Sequence, residues 1–216
     1  AIPREVIPRV LKGGEMPTTS WVPPGIMGYE PDIGLKFDPQ GARQLLAEAG
    51  YPAGKNFPPP TAYYNTDENN RLVAETLQAL WKENLNVRVE LANVEWKVFL
   101  KMLNTDPPRL YRLGWAADYP DPDNFLNLFT SASGNNHTGW ANPRYDEIIA
   151  RAARISDQDT RRALYRQAQK LLLEEAVAII PLYVTSRSIL IKPHVKGFWQ
   201  NRMGILRLKD ITIQAN

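Results

Sequence analysis

The sequence contains no cysteine. That excludes a disulfide framework, a thiolate metal site and a cysteine nucleophile, and it leaves the redox compartment open. Long apolar runs are missing too. The longest, Ala176 to Ile180, is far shorter than the ~20 residues that a membrane-crossing helix needs. Histidine is scarce: His137 and His194 are the only two, and both lie in loop-like stretches, where a solvated polar role is the ordinary outcome. Neither sign of charge dominates. Lys and Arg number 26 against 23 Asp and Glu, a net charge of +3, which is not the footprint of a nucleic-acid binder. No HExxH, P-loop or G-x-G-x-x-G pattern occurs. Ser131 and Ser133 lie in an SASGNN stretch, not in the strained G-x-S-x-G elbow of a hydrolase. Nothing in the chain gives a positive sign of an enzyme, and no cofactor or metal is implied. The opening AIPREVIPRVLKGG lacks the apolar core of a secretion signal and reads as a helix already under way, so the chain is expected to be a fragment of a longer one.

What is present fits a soluble globular fold: 44% hydrophobic and 23% charged residues, more apolar than a disordered chain. Ile2, Val6, Ile7 and Val10 share a helical face that Gly13-Gly14 stops. Residues 15–37 read as an ordered loop. Asp38-Pro39 forms an N-cap and N1 pair for a helix running to Gly50. Thr61 to Asn65 reads as a strand, Thr66 or Asp67 caps a helix bearing Val73, Leu77, Leu80 and Trp81, and Val87, Val89 and Leu91 alternate as a second strand. This is one βαβ unit of about 30 residues, which favours parallel pairing. Further on, the pattern predicts a helix from Trp96 to Leu103, a strand from Arg109 to Trp115, a helix opened by Asn142-Pro143 and another capped by Ser156 or Asp157. Glu174-Glu175 reads as a solvated helix edge. Ala176 to Val184 reads as a core strand, with Ser188 to Ile191 and Ile205 to Leu208 as further strands.

One stretch stands out. Gly114 to Phe125 follows a strand and carries three carboxylates within six residues, Asp118, Asp121 and Asp123, with aromatics on both sides. Asp118, Asp121, Asp123 and Asn124 are oxygen donors suited to calcium, but the glycine and glutamate that an EF-hand loop requires are absent at the matching positions. A proline-stiffened turn in which Asp121 or Asp123 caps a short helix is the plainer reading for those two. Asp118 is different. It lies just past a strand end, where a carboxylate meets a ligand in the crevice of an α/β sheet.

The segments YNTDENNRLVAETLQALWKENLNVRVELANVEWKVFL and GWAADYPDPDNFLNLF, with FDPQGARQLLAEAGYP before them and VKGFWQNRMGILRLKDITI after, strongly resemble the C-terminal lobe of peptide-binding proteins of ABC importers, the family 5 solute-binding proteins. The resemblance covers essentially the whole chain. It implies an α/β fold, a periplasmic-binding-protein-like type II C-terminal lobe with a mixed sheet flanked by helices. Residues 1–187 would form the ligand-binding lobe, and residues 188–216 would return to an N-terminal lobe absent from this chain.

The resemblance also implies roles. Asp118 resembles the carboxylate that grips a peptide's α-amino group, and Trp96 and Trp115 resemble tryptophans that line side-chain pockets. Arg112 matches a basic position that can face a peptide's carboxylate end, while a second basic position of that branch falls on Leu103. Tyr64 and Asn65 lie where dipeptide-selective relatives carry an arginine, which argues for longer peptides. The implied partners are a peptide or other small solute, a membrane permease and the missing lobe, with no nucleic acid. The implied location is the periplasm or the outer face of a bacterial cytoplasmic membrane. Two alternatives share the fold: capture of a non-peptide solute such as a nickel chelate, haem or sugar, and service as the sensing domain of a regulator.

Overall fold

The computed structural model describes residues 1–201 and 204–214. Arg202 and Met203, within the last motif quoted above, and Ala215 and Asn216 lie outside the described residues.

Side-chain caps set where the main helices begin. Asp38 accepts from the Gly41 amide and opens α2 (Pro39–Glu48), while Asp67 accepts from the Asn70 amide and opens α3 (Glu68–Leu85). Glu95 accepts from the amides of Lys97 and Val98 at the start of α4 (Trp96–Thr105). Asn142 accepts from those of Arg144 and Tyr145 ahead of α6 (Pro143–Ala152), and Asp157 from that of Thr160 ahead of α7 (Gln158–Lys170). Each cap satisfies amides that a helix start leaves without partners, for about 1 kcal/mol. The first helix, α1, is shorter than its apolar spacing predicts, covering only Val6–Leu11. Ile2 is buried but outside it.

The central sheet has β2 (Thr61–Asn65) in the middle, with β3 (Glu90–Val94) on one side and β4 (Leu110–Tyr111) on the other, all parallel. The predicted βαβ unit is therefore β2-α3-β3. Its second strand pairs three residues later than the alternation suggested: Val87 and Val89 are buried ahead of the ladder, which starts at Glu90. From α3 and α4 the sheet receives Val73, Ala74, Leu80, Phe99 and Leu103, all buried, at about 1.5–3 kcal/mol for each of the larger side chains. With right-handed crossovers, a strand order of second-first-third puts the two connecting helices on opposite faces and opens a crevice at the carboxyl ends of the strands.

A second core lies among the helices of the C-terminal half. The short α5 (Asp123–Leu126), α6 and α7 bury Phe125, Leu126, Tyr145, Ile149, Leu164 and Tyr165 against Val22 and Ile33 of the 15–37 loop. That loop is tied down by side chains. Gln169, fully buried on α7, accepts from the Ser20 hydroxyl at 3.0 Å and the Val22 amide at 3.4 Å, and donates to the Gly28 carbonyl at 2.9 Å. Glu174 is not a solvated edge: it accepts from the Gly34 amide at 2.9 Å. Gly34 has φ +87°, and a Cβ there would come within 2.5 Å of the Thr19 carbonyl oxygen, so this turn requires glycine.

The end of the chain departs most from expectation. Ala176 to Val184 is not a core strand. Helix α7 runs on through a π-turn, Leu171–Glu175, and closes with the Ala176 amide on the Leu171 carbonyl and the Ala178 amide on that of Leu172. Val177 turns the corner with φ +48°, so helix capping takes the backbone groups a strand would have used. Pairing resumes only at β5 (Tyr183–Val184), antiparallel to β1 (Met16–Pro17). Ser188 to Ile191 forms no strand, and Leu190 is fully exposed. At Ile205 to Leu208 there is only one bridge, Gln200 to Leu206, before a single 3-10 turn; the paired strands are β6 (Val195–Lys196) and β7 (Thr212–Ile213). Parallel and antiparallel pairing thus both occur, in separate sheets.

Candidate ligand-binding edge of the parallel sheet

All three central strands run the same way, so their carboxyl ends meet along one edge. Asn65 pairs level with Val94, and Tyr63 with Tyr111. Trp96 comes just after the end of β3, past the Glu95 cap, and Arg112 directly follows β4, whereas Asp118 lies further along the chain. Sequence order thereby becomes spatial proximity: segments far apart in the chain reach one rim because each follows a parallel strand.

Beyond β4 the backbone changes character. The Arg112 amide still donates to the Tyr63 carbonyl at 2.8 Å. Among the described residues, no backbone hydrogen bond then engages residues 113–117. Leu113, Gly114 and Ala116 are exposed, so this run presents free amides and carbonyls beyond the outer strand. Exposed backbone of this kind can receive an added strand.

Trp115 and Asp118 are brought together by Asn124. Its side-chain oxygen accepts from the Trp115 indole Nε1 at 2.8 Å and from the Asp118 amide at 3.2 Å. Trp115 is half-buried, with part of its ring against the helical core. Asp118 is exposed, and no side chain among the described residues bonds or pairs with its carboxylate. The turn that follows is bolted from beneath. Arg161 of α7 grips both oxygens of Asp121, at 2.7 and 2.8 Å, and also reaches the Tyr165 hydroxyl and the Ala152 carbonyl. This carboxylate raises the Arg161 pKa. Tyr119 donates to Asp123 at 3.0 Å, and its own pKa is raised by burial and then by that carboxylate. Asp121 also accepts from the Asp123 amide, but the N-cap of α5 is Pro122 and no side chain caps it, so neither Asp121 nor Asp123 takes the capping role expected of it. Three of the four oxygen donors in the calcium reading are therefore engaged with protein groups: Asp121 with Arg161, Asp123 with Tyr119, and Asn124 with Trp115.

The other candidates are placed less alike. Trp96 is 45% exposed and stacks on Phe99, with ring centroids 6.2 Å apart. Arg112 is half-buried, donates to the Tyr183 hydroxyl at 3.3 Å, and pairs with no acid among the described residues. Asn65 is partly covered and accepts from the Asn70 side chain through both its side-chain and backbone oxygens. Tyr64, one residue before the end of β2, is buried at 6% exposure, and Leu103 is core at 2%. Sequence reasoning missed two residues that hold the turn carrying Asp118, Asn124 and Arg161, and a third, Gln169, that ties down the 15–37 loop. Asn124 carried a signal only as an oxygen donor. Arg161 and Gln169 gave none, because a residue's partner 40 or more than 140 positions away leaves no local pattern.

The model for "Bacterial extracellular solute-binding proteins, family 5 Middle" matches residues 1–137, and the chain belongs to that family. It is 35% identical over 209 residues to the periplasmic oligopeptide-binding protein OppA of Salmonella typhimurium, an alignment covering 92% of this chain and 37% of that protein. Among solved structures it resembles the murein tripeptide binding protein MppA of Escherichia coli, with a TM-score of 0.88, 33% identity and coverage of 98% of this chain and 43% of the other. It also resembles Haemophilus influenzae OppA in complex with the peptide RPPGFSPFR, with a TM-score of 0.84, 30% identity and coverage of 98% and 43%. The chain spans well under half the length of these relatives. No helix among the described residues is long and apolar enough to cross a membrane.

Proposed function

We propose that this chain forms one wall of a two-lobed binding protein that captures peptides, oligopeptides in particular, outside the bacterial cytoplasmic membrane or in the periplasm, delivers them to an ABC-importer permease, and performs no chemistry on them. The observation that carries this reading is the unpartnered Asp118 carboxylate beside a fixed indole, at the end of an unpaired backbone run. A free ammonium on a carboxylate is worth about 1.5–3 kcal/mol and is common to every free peptide, whatever its sequence. Main-chain pairing along residues 113–117 is equally indifferent to side chains. Trp115 and Trp96 supply broad apolar surface with little rotamer entropy to lose, and Arg112, without an acid partner, suits a ligand carboxylate. Tyr64 and Asn65 support the rim from the central strand.

Residues 1–187 constitute this lobe, and residues 188–216 belong with the N-terminal lobe. Support for the division comes from the exposed apolar side chains Leu190, Trp199, Leu208 and Ile213, from 59% to 100% accessible, which need a covering surface. Closure of the two lobes would then dry the rim and strengthen the Asp118 contact. Calorimetric titration of the intact protein with a free-amine oligopeptide tests the reading: Asp118→Asn weakens binding by about 2–5 kcal/mol if the amine is buried on closure. Unchanged affinity removes Asp118 from the site.

A further inference from the structure

Asp118 follows a stretch of chain with no backbone hydrogen bond from Leu113 to Ala117, so the sheet cannot fix where its carboxylate points. The orientation must come from what holds the stretch by its side chains and at its far end. Ala117 and Trp115 pack against the helical core, which limits depth but not rotation, because dispersion contacts are non-directional. The directional restraints are the two hydrogen bonds to the Asn124 side-chain oxygen, one from the Trp115 indole and one from the Asp118 amide. Both donors are N–H groups with no lone pair to offer, so the oxygen, and not the nitrogen, of the Asn124 amide must face them.

Asn124 is itself well anchored. It is 6% exposed, its backbone amide donates to the Asp121 carbonyl, and it lies between Pro122 and the buried Phe125 and Leu126 of α5. The Arg161–Asp121 pair locks the turn just before it to α7. Position is thus transmitted from the rigid core to the exposed carboxylate through one side-chain oxygen, which also holds the pocket-wall indole. A shared acceptor couples the two: rotating the amide misplaces the wall and the grip together. We propose that Asn124 is a positioning residue that sets the preference for ligands with a free amino terminus, without touching the ligand. This rests on the reading of Asp118 as the amine-binding group.

The experiment compares a free-amine tripeptide with its N-acetylated form on the intact protein, by calorimetry, in the wild type and in Asn124→Leu, Asn124→Asp and Asp118→Asn. Asn124→Leu removes the acceptor and should reduce the free-amine preference by about tenfold, the loss of roughly one charge-assisted contact. Asn124→Asp keeps an acceptor oxygen and should retain the preference within about threefold, where a generic packing role would make both variants equally poor. Should the leucine variant not fold, hydrogen exchange in the wild type still decides: the Asp118 amide must exchange more slowly than the unpartnered amides of Gly114 and Ala116. Equal exchange overturns the proposal, as does an unaltered preference in Asn124→Leu. If Asp118→Asn leaves the preference intact, the reading of the site itself falls. If Asp118→Asn abolishes it and Asn124→Leu does not, only the role of Asn124 falls.

Discussion

Breaking the Arg161–Asp121 pair should loosen the turn that follows Asp118, and its cost follows from geometry. The pair is bidentate, at 2.7 and 2.8 Å, with the two side chains 16% and 28% exposed. Fully exposed pairs contribute about 0.2–1 kcal/mol, whereas breaking a buried one costs about 3–5 kcal/mol. Arg161→Met keeps most of the aliphatic stem but leaves Asp121 without its partner and frees the Ala152 carbonyl and the Tyr165 hydroxyl. The expected loss lies between those limits, about 2–3 kcal/mol, read as a lower urea midpoint of this chain with an unchanged slope. A double-mutant cycle with Asp121→Asn isolates the pair and should give a coupling of about 1–2 kcal/mol. A coupling below about 0.5 kcal/mol, the range of independent sites, would mean that solvent screens the pair and that the turn is held by packing alone.

Gln169→Leu should cost about 2–4 kcal/mol, because it strands the Val22 amide and the Gly28 carbonyl and leaves the buried Ser20 hydroxyl with the Val22 carbonyl alone; limited proteolysis should find cleavage between residues 15 and 37 that the wild type resists. Burial pushes the Tyr165 hydroxyl from 10.0 up to about 12 and that of Tyr145, which donates to the Leu126 carbonyl, well upward as well. The folded state therefore holds these protons more tightly than the unfolded one. The stability they confer is complete below about pH 10 and is lost as pH rises through about 12. Urea midpoints at about pH 8 and about pH 11 should show that fall, and Tyr165→Phe should make it shallower; equal midpoints at both pH values would contradict it.

The sequence revealed the elements whose signals are local. Asp38, Asp67, Asn142 and Asp157 each cap the helix expected of them, and the β2-α3-β3 unit pairs in parallel as its length and pattern required. Apolar runs near the end misled because burial and pairing are separate matters. Ala176 to Val184 leaves a π-turn and pairs only at Tyr183 and Val184, and the apolar Ile189 to Ile191 stretch is exposed and, among the described residues, unpaired. At the candidate site, Asp118 stood out by its carboxylate-rich stretch and its place past a strand, and Trp115 through the family resemblance. Their tether to Asn124 needed the turn geometry, and the bolt from Arg161 needed a helix forty residues away.

The most direct test of the binding reading is an experimental structure of the intact protein with a free-amine oligopeptide enclosed. The peptide's amino nitrogen should lie about 2.7–2.9 Å from an Asp118 carboxylate oxygen, with its backbone alongside residues 113–117. A peptide whose amine pairs with another group, while Asp118 faces open solvent, would contradict it.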